Sequence, residues 1–194
     1  MDWRKNIRVV VILVLLSLLI SMCASCENED LEIPEWEECS QNMGAHPCNF
    51  TLVDQNGDEF ILYDHLGKIV ILDFSAMWCA PCQLAALEVE SLQEKYKDDI
   101  IYVTILIENS SRNTPSSGDV RKWASAFNIE SAPVLSGNRN MLSPNPDFGW
   151  QLNAWPQFYI INKEMALEFS FTGFAPGRME EVVSYMINGD SQAN

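Results

Sequence analysis

Apolar and polar positions change period several times along this chain, and each change marks an element. Val9 to Ile20 carries no charge and only Ser17 is polar. That run is shorter than the roughly 20 residues of a membrane span and suits the core of a signal peptide. From Glu27 to Glu38 acids and Pro34 replace the apolar residues, the composition of a solvated tether. Phe50-Thr51-Leu52-Val53 predicts a short strand, Asn56-Gly57 a hairpin turn, and Glu59 to Tyr63 the returning strand. Lys68 to Phe74 is apolar and β-branched, as in a central strand buried on both faces. After Cys82 the period lengthens: Ala85, Val89, Leu92 and Tyr96 recur at i, i+4, i+7 and i+11, which predicts an amphipathic helix. Ile100 to Ile107 is a second buried strand, and strand, helix and strand in that order predict a parallel pair.

The second half is read the same way. Asp119 is placed to cap a helix over Val120 to Phe127. Ala132 to Leu135 is a short apolar stretch, and Ser136 to Asn153 a long irregular loop, of a length usually tied to function or disorder. Gln157 to Ile161 and Ala166 to Phe171 predict a hairpin around Asn162-Lys163-Glu164. A closing helix runs from Pro176 to Ile187, with Gly189 beyond its end. The expected architecture is α/β: a central mixed β-sheet flanked by helices, with an N-terminal β-hairpin extension.

Composition adds few constraints. The chain has 194 residues, 47% hydrophobic and 20% charged, enough for one domain and its extensions. A formal charge of −15 argues against a nucleic-acid partner, which calls for clustered Lys and Arg. Arg4, Lys5 and Arg8 precede the apolar run as a basic n-region, which predicts export. Ser21-Met22-Cys23-Ala24-Ser25-Cys26 resembles a bacterial lipobox, with Cys26 as the lipidated first residue and Cys23 where Leu or Val is usual. Ordinary cleavage and an uncleaved anchor stay open. Cleavage before Cys26 removes three basic residues and one acidic one and leaves −17. The expected division is a lipoprotein-type signal peptide over 1–25, an acidic tether over 26–43, the folded domain over 44–189 and a tail over 190–194. Trp36 either docks on the domain or is a linker aromatic.

The chemistry concentrates at Cys79-Ala80-Pro81-Cys82, between an apolar strand and a helix. A thiolate is the nucleophile in disulfide exchange, and helix N-terminal amides favour it over the thiol. Cys79 is therefore expected as an exposed nucleophile and Cys82, one turn in, as the resolving cysteine. Pro81 fits the first turn, where its missing N–H is no loss. Zinc would need two further ligands; Cys39, His46 and Cys48 lie upstream, but Trp78 and Pro81 are foreign to zinc knuckles, so no metal is expected. With Cys23 removed and Cys26 lipidated, Cys39, Cys48, Cys79 and Cys82 allow three pairings, of which the two local pairs are one. Asp73 stands inside the apolar run V-I-L-D-F. Buried, it becomes a base for Cys82; the alternative is an Asp turning outward at the strand end. His46 and His65 are isolated and expected to be structural.

Asp73-Phe74-x-Ala76-x-Trp78-Cys79-x-Pro81-Cys82 resembles the thioredoxin active-site segment, with Ser75 in place of a frequent Trp. Phe50-Thr51-Leu52-x-Asp54-x-x-Gly57 and Gly67-Lys68-Ile69-Val70-Ile71-Leu72 are similar to the TlpA/ResA branch of exported thiol-disulfide oxidoreductases and to the related redoxin (AhpC/TSA) proteins. The resemblance spans about 44–187. It implies a thioredoxin-like fold, a thiol-disulfide oxidoreductase needing no cofactor, and protein thiol or disulfide substrates with a separate redox partner. A monomer on the periplasmic side or surface of a bacterium is expected, anchored through its N-terminus. Reduction of exported proteins such as apocytochromes c is the implied direction. It also implies a cis-proline facing the cysteines, matched by Trp155-Pro156, with Trp78, Ala80, Pro81, Trp155 and Pro156 contacting substrate; Trp155 is larger than the residue usual there. The rival readings are a redox-inactive thioredoxin-fold binding lipoprotein and a thiol peroxidase. Cys39 and Cys48 lie outside the common pattern, as a structural disulfide or a second redox relay. The Ser136–Asn153 loop leads into Pro156 and is expected to border the site, or to be a packed insertion.

Overall fold

A strand with no exposed residue, β3 (Ile69–Ala76), is the axis of the molecule. The computed structural model describes Trp36 and residues 38–190. The signal peptide, Cys26, most of the tether and residues 191–194 lie outside the described residues. A two-stranded hairpin, β1 (Thr51–Val53) and β2 (Glu59–Ile61), precedes β3. It is followed by α1 (Ala80–Lys95), β4 (Ile100–Glu108), α2 (Ser117–Phe127), β5 (Val134–Ser136), β6 (Gln157–Ile161), β7 (Leu167–Thr172) and α3 (Arg178–Asp190). The five-stranded sheet has the order β5-β4-β3-β6-β7. The β3–β4 and β4–β5 pairs are parallel, while β6 and β7 add antiparallel strands. This is the mixed sheet expected of the thioredoxin-like fold.

Strand alternation sorts the core onto two faces. Ile69 and Ile71 join Cys82, Ala85 and Val89 of α1, Val120 and Trp123 of α2, and Val183 of α3. Val70, Leu72 and Phe74 join Phe60, Leu62, Trp150 and Tyr159. The buried side chains of all three helices thus collect on one face. The other is covered by the N-terminal hairpin and by Met141, Leu142 and Trp150 from the long loop. That loop is held by a short 3-10 turn at Arg139–Met141 and by the Leu142–Trp150 bridge. Gly137 begins it because a Cβ there would lie 2.6 Å from Ile105 Cγ2.

Several boundaries differ from expectation. The second hairpin strand stops at Ile61, and Leu62–His65 form a 3-10 turn that buries Leu62 and Tyr63. Ser116, not Asp119, is the N-cap of α2; Asp119 completes the capping box from inside the first turn. α3 continues through Gly189 to Asp190 instead of ending before it.

The two local disulfides are the pairing present. Cys39–Cys48, with Cα atoms 4.7 Å apart, closes a strap that hydrogen-bonds the domain at three points. Gln41 N donates to Pro146 O, Gly44 N to Leu167 O, and Leu167 N to Ala45 O. Trp36 stacks on His46 at 4.1 Å and meets the edge of Tyr63, so it docks on the domain. Replacing Cys39 and Cys48 together by serine is expected to lower unfolding free energy by about 2.5 kcal/mol, the loop-closure entropy of so short a ring. Denaturant titration checks this; an unchanged midpoint would mean that the hydrogen bonds alone hold the strap.

Candidate active site

The end of β3 delivers the cysteine turn. Met77 N continues the pairing with β4 by donating to Glu108 O, and Cys79 N closes back on Ala76 O at 3.1 Å. Cys79 is then the N-cap of α1, its Sγ accepting the Cys82 N–H at 3.2 Å. Pro81 lies in the first turn, and Gln83 Nε2 locks the turn from inside by donating to Met77 O at 2.8 Å. Cys79 and Cys82 are joined as a disulfide.

Cys82 is 0% exposed and Cys79 only 4%, which corrects the expectation of an exposed nucleophile. The order of accessibility is as expected, with both cysteines buried. Trp78 and Trp155 both pack against the cluster that contains Cys79, with their rings edge-on at 6.1 Å. Ala80 and Pro81 are exposed. The Trp155-Pro156 peptide bond is cis. Register places it: Gln157 pairs with Phe74, so Pro156 lies beside Ser75, at the end of β3 that leads to Cys79. Pro156 is buried and its carbonyl accepts Gly173 N–H at 2.8 Å.

Asp73 does not turn outward. It is 0% exposed, on the helix-covered side of β3 that also holds Ile71 and Cys82. Ser75 Oγ donates to its Oδ1 at 2.7 Å, while Oδ2 has no partner; nor has Oγ1 of Thr104, opposite on β4. Burial pushes the Asp73 carboxyl up to about 7, against the lesser pull of the Ser75 hydroxyl. Such a group changes protonation near neutral pH, as a proton acceptor must.

Three residues of the site were not singled out from sequence. Glu108, 2% exposed at the end of β4, accepts Trp78 Nε1–H at 2.7 Å and Arg139 Nε–H at 2.5 Å. Arg112 lays its guanidinium over the Trp78 ring, 4.3 Å from the centroid. Trp78 is thus held at its edge by a carboxylate and on its face by a cation. The signal for Glu108 was the one that flagged Asp73, an acid at the end of an apolar run. Arg139 carries the long loop to this border. Glu108→Ala is expected to free the Trp78 indole and cost about 1–3 kcal/mol, since Arg139 is largely solvated and only the Trp N–H is left without a partner. A red-shifted tryptophan emission beside lowered stability is the readout; unchanged emission would place Trp78 under other control. His46 Nδ1 donates to Met165 O, and His65 stacks on Phe60, with burial lowering its pKa.

Comparison with known proteins agrees with this geometry. The model of the AhpC/TSA family matches residues 43–170. The thioredoxin-like protein YneN of Bacillus subtilis is 26% identical over 132 residues, 68% of this chain and 72% of YneN. The thiol-disulfide oxidoreductase ResA of Geobacillus kaustophilus is 27% identical over 137 residues, 71% of this chain and 73% of ResA. In fold, the chain is similar to the exposed lipoprotein thioredoxin of Streptococcus pneumoniae, with a TM-score of 0.57 and 20% identity over 73% of this chain and 99% of that one.

Proposed function

This chain belongs to the AhpC/TSA family, and from that premise we propose a thiol-disulfide oxidoreductase of the thioredoxin type that reduces exported proteins through Cys79 and Cys82. The observation that carries the reading is the placement of Cys79 Sγ at the start of α1, under the Cys82 N–H, with Asp73 buried on the same side of β3. In the reduced form the Cys79 thiolate attacks one sulfur of a substrate disulfide. A Cys79–substrate S–S bond forms, the substrate S–S bond breaks, and the other substrate sulfur leaves as a thiolate that takes up a proton. Asp73 then accepts the proton of Cys82. The Cys82 thiolate attacks Cys79 Sγ, and the second substrate sulfur departs. Two electrons have passed to the substrate and the Cys79–Cys82 disulfide remains, to be reduced by a partner dithiol.

Trp78, Ala80, Pro81, Trp155 and Pro156 form the substrate-contacting rim, and Cys39–Cys48 is a structural bridge. Export, and lipidation at Cys26, are supported by the basic n-region, the apolar run and the cysteine-preceding small residues. The test of direction is the reduction potential, taken from equilibration with glutathione buffers of known ratio. A value near the thioredoxin range of about −270 mV fits a reductase, and one near about −120 mV, the range of strong oxidants, overturns it. A pair that does not equilibrate at all would leave a redox-inactive binding protein.

A further inference from the structure

Apart from Asp147, the connections at one end of the sheet carry no acid. The C-terminal ends of β3, β4, β5 and β7 and the N-terminal end of β6 share that end, by their parallel and antiparallel pairing. Residues 77–84, 109–118, 137–146, 148–157 and 173–178 contain no Asp or Glu, in a chain that has 27 of them. Glu108 is the acid nearest Trp78, and both its oxygens are taken, by Trp78 and Arg139. Asp119 is turned into the capping box, and Asp147 into Ser40 and Asn42.

Arg112 stands in this acid-poor field. It is exposed, its loop is tied from within by Asn109, and its guanidinium is laid on Trp78, the residue before Cys79. Among the described residues no carboxylate pairs with it. A guanidinium held over an indole face can turn its N–H edges outward, in the fork that matches a carboxylate. We propose that Arg112 selects substrate segments that carry Asp or Glu next to the reacting cysteine. The remaining surface, strongly negative, repels such a partner and turns it toward this end. The proposal rests on the exchange function above and names the chemistry of its substrate.

The test uses the reduced chain and three short peptides that differ only in the residues beside one cysteine: Glu, Gln or Lys. Each cysteine is held as a 2-thiopyridyl mixed disulfide, so attack by Cys79 expels pyridine-2-thione, which is read by its absorbance. The Glu peptide should react about 10-fold faster than the Lys peptide at low salt, and salt should narrow the gap. Arg112→Glu should invert the order. Lys122→Glu, the same charge change on α2, should leave it. Equal rates for all three peptides, or an order unchanged by Arg112→Glu, would overturn the proposal. If even the Gln peptide reacts no faster than with a Cys79→Ser chain, the exchange function itself falls, and the role of Arg112 with it.

Discussion

A Cys79→Ser chain is expected to exchange disulfides at least about 10³-fold more slowly than the parent. The species that attacks is a thiolate, and a serine hydroxyl at the same helix start stays protonated at neutral pH. The amide of Cys82, 3.2 Å from Sγ, has no anion to stabilise in that variant. Cys82→Ser should fail at a later step. Its first attack survives, but nothing expels the substrate, so a mixed disulfide at Cys79 accumulates and appears in intact mass spectra as the chain plus one substrate. Cys82 is 0% exposed and therefore open only to attack by or upon its neighbour. A Cys79→Ser chain that keeps parental rates would move the nucleophile elsewhere, with the exposed Cys39 the first place to look.

Asp73→Asn should separate catalysis from stability. The folded-state pKa of Asp73 is raised to about 7 by burial, above the ordinary carboxylate value of 3.8. Between those values the unfolded chain has released the proton and the folded chain still holds it, so stability falls as pH rises. Below the lower value both forms are protonated and the penalty vanishes; above about 7 it is complete, on the order of 4 kcal/mol. Asparagine does not ionise and carries no such penalty. The variant should therefore match the parent in thermal stability at acid pH and exceed it in mildly alkaline buffer. Its resolving step should slow by about 10²-fold or more and lose its rise with pH through neutrality. Parallel stability curves for the two chains would show that Asp73 is not buried as a carboxyl in solution. An unchanged pH–rate profile would remove it from the proton path.

Local signals carried much of this structure. β3, α1 and β4 were readable because their periods differ sharply and each is longer than its connections. Cys79, Cys82 and Asp73 lie within ten residues on that same stretch, so their proximity needed no tertiary knowledge. The rest depended on distant partners. Glu108 is 30 residues from Trp78 and 31 from Arg139, and nothing local says that these meet. Trp155, which packs against the cluster that holds Cys79, comes from a different strand connection, and Cys79 is 4% exposed where an exposed sulfur was expected. The helix-free face escaped for a similar reason. A loop without regular period, Ser136 to Asn153, gives no sign that Trp150 is a core residue with Met141 and Leu142 packed against the same core. At Ser116 and Asp119 the two cap types are three residues apart and both bond; only geometry separates the cap from its reciprocal partner.

The strap closed by Cys39–Cys48 also bears on self-association. Gly44 and Ala45 occupy both backbone groups of Leu167, the first residue of the outer strand β7. The opposite margin of the sheet, β5, is only three residues long. Unpaired strand margins are where sheets recruit other chains and build aggregates. One margin is therefore blocked at its start and the other offers little length. Such a molecule can meet a protein thiol substrate without templating it, or further copies of itself, onto its own sheet.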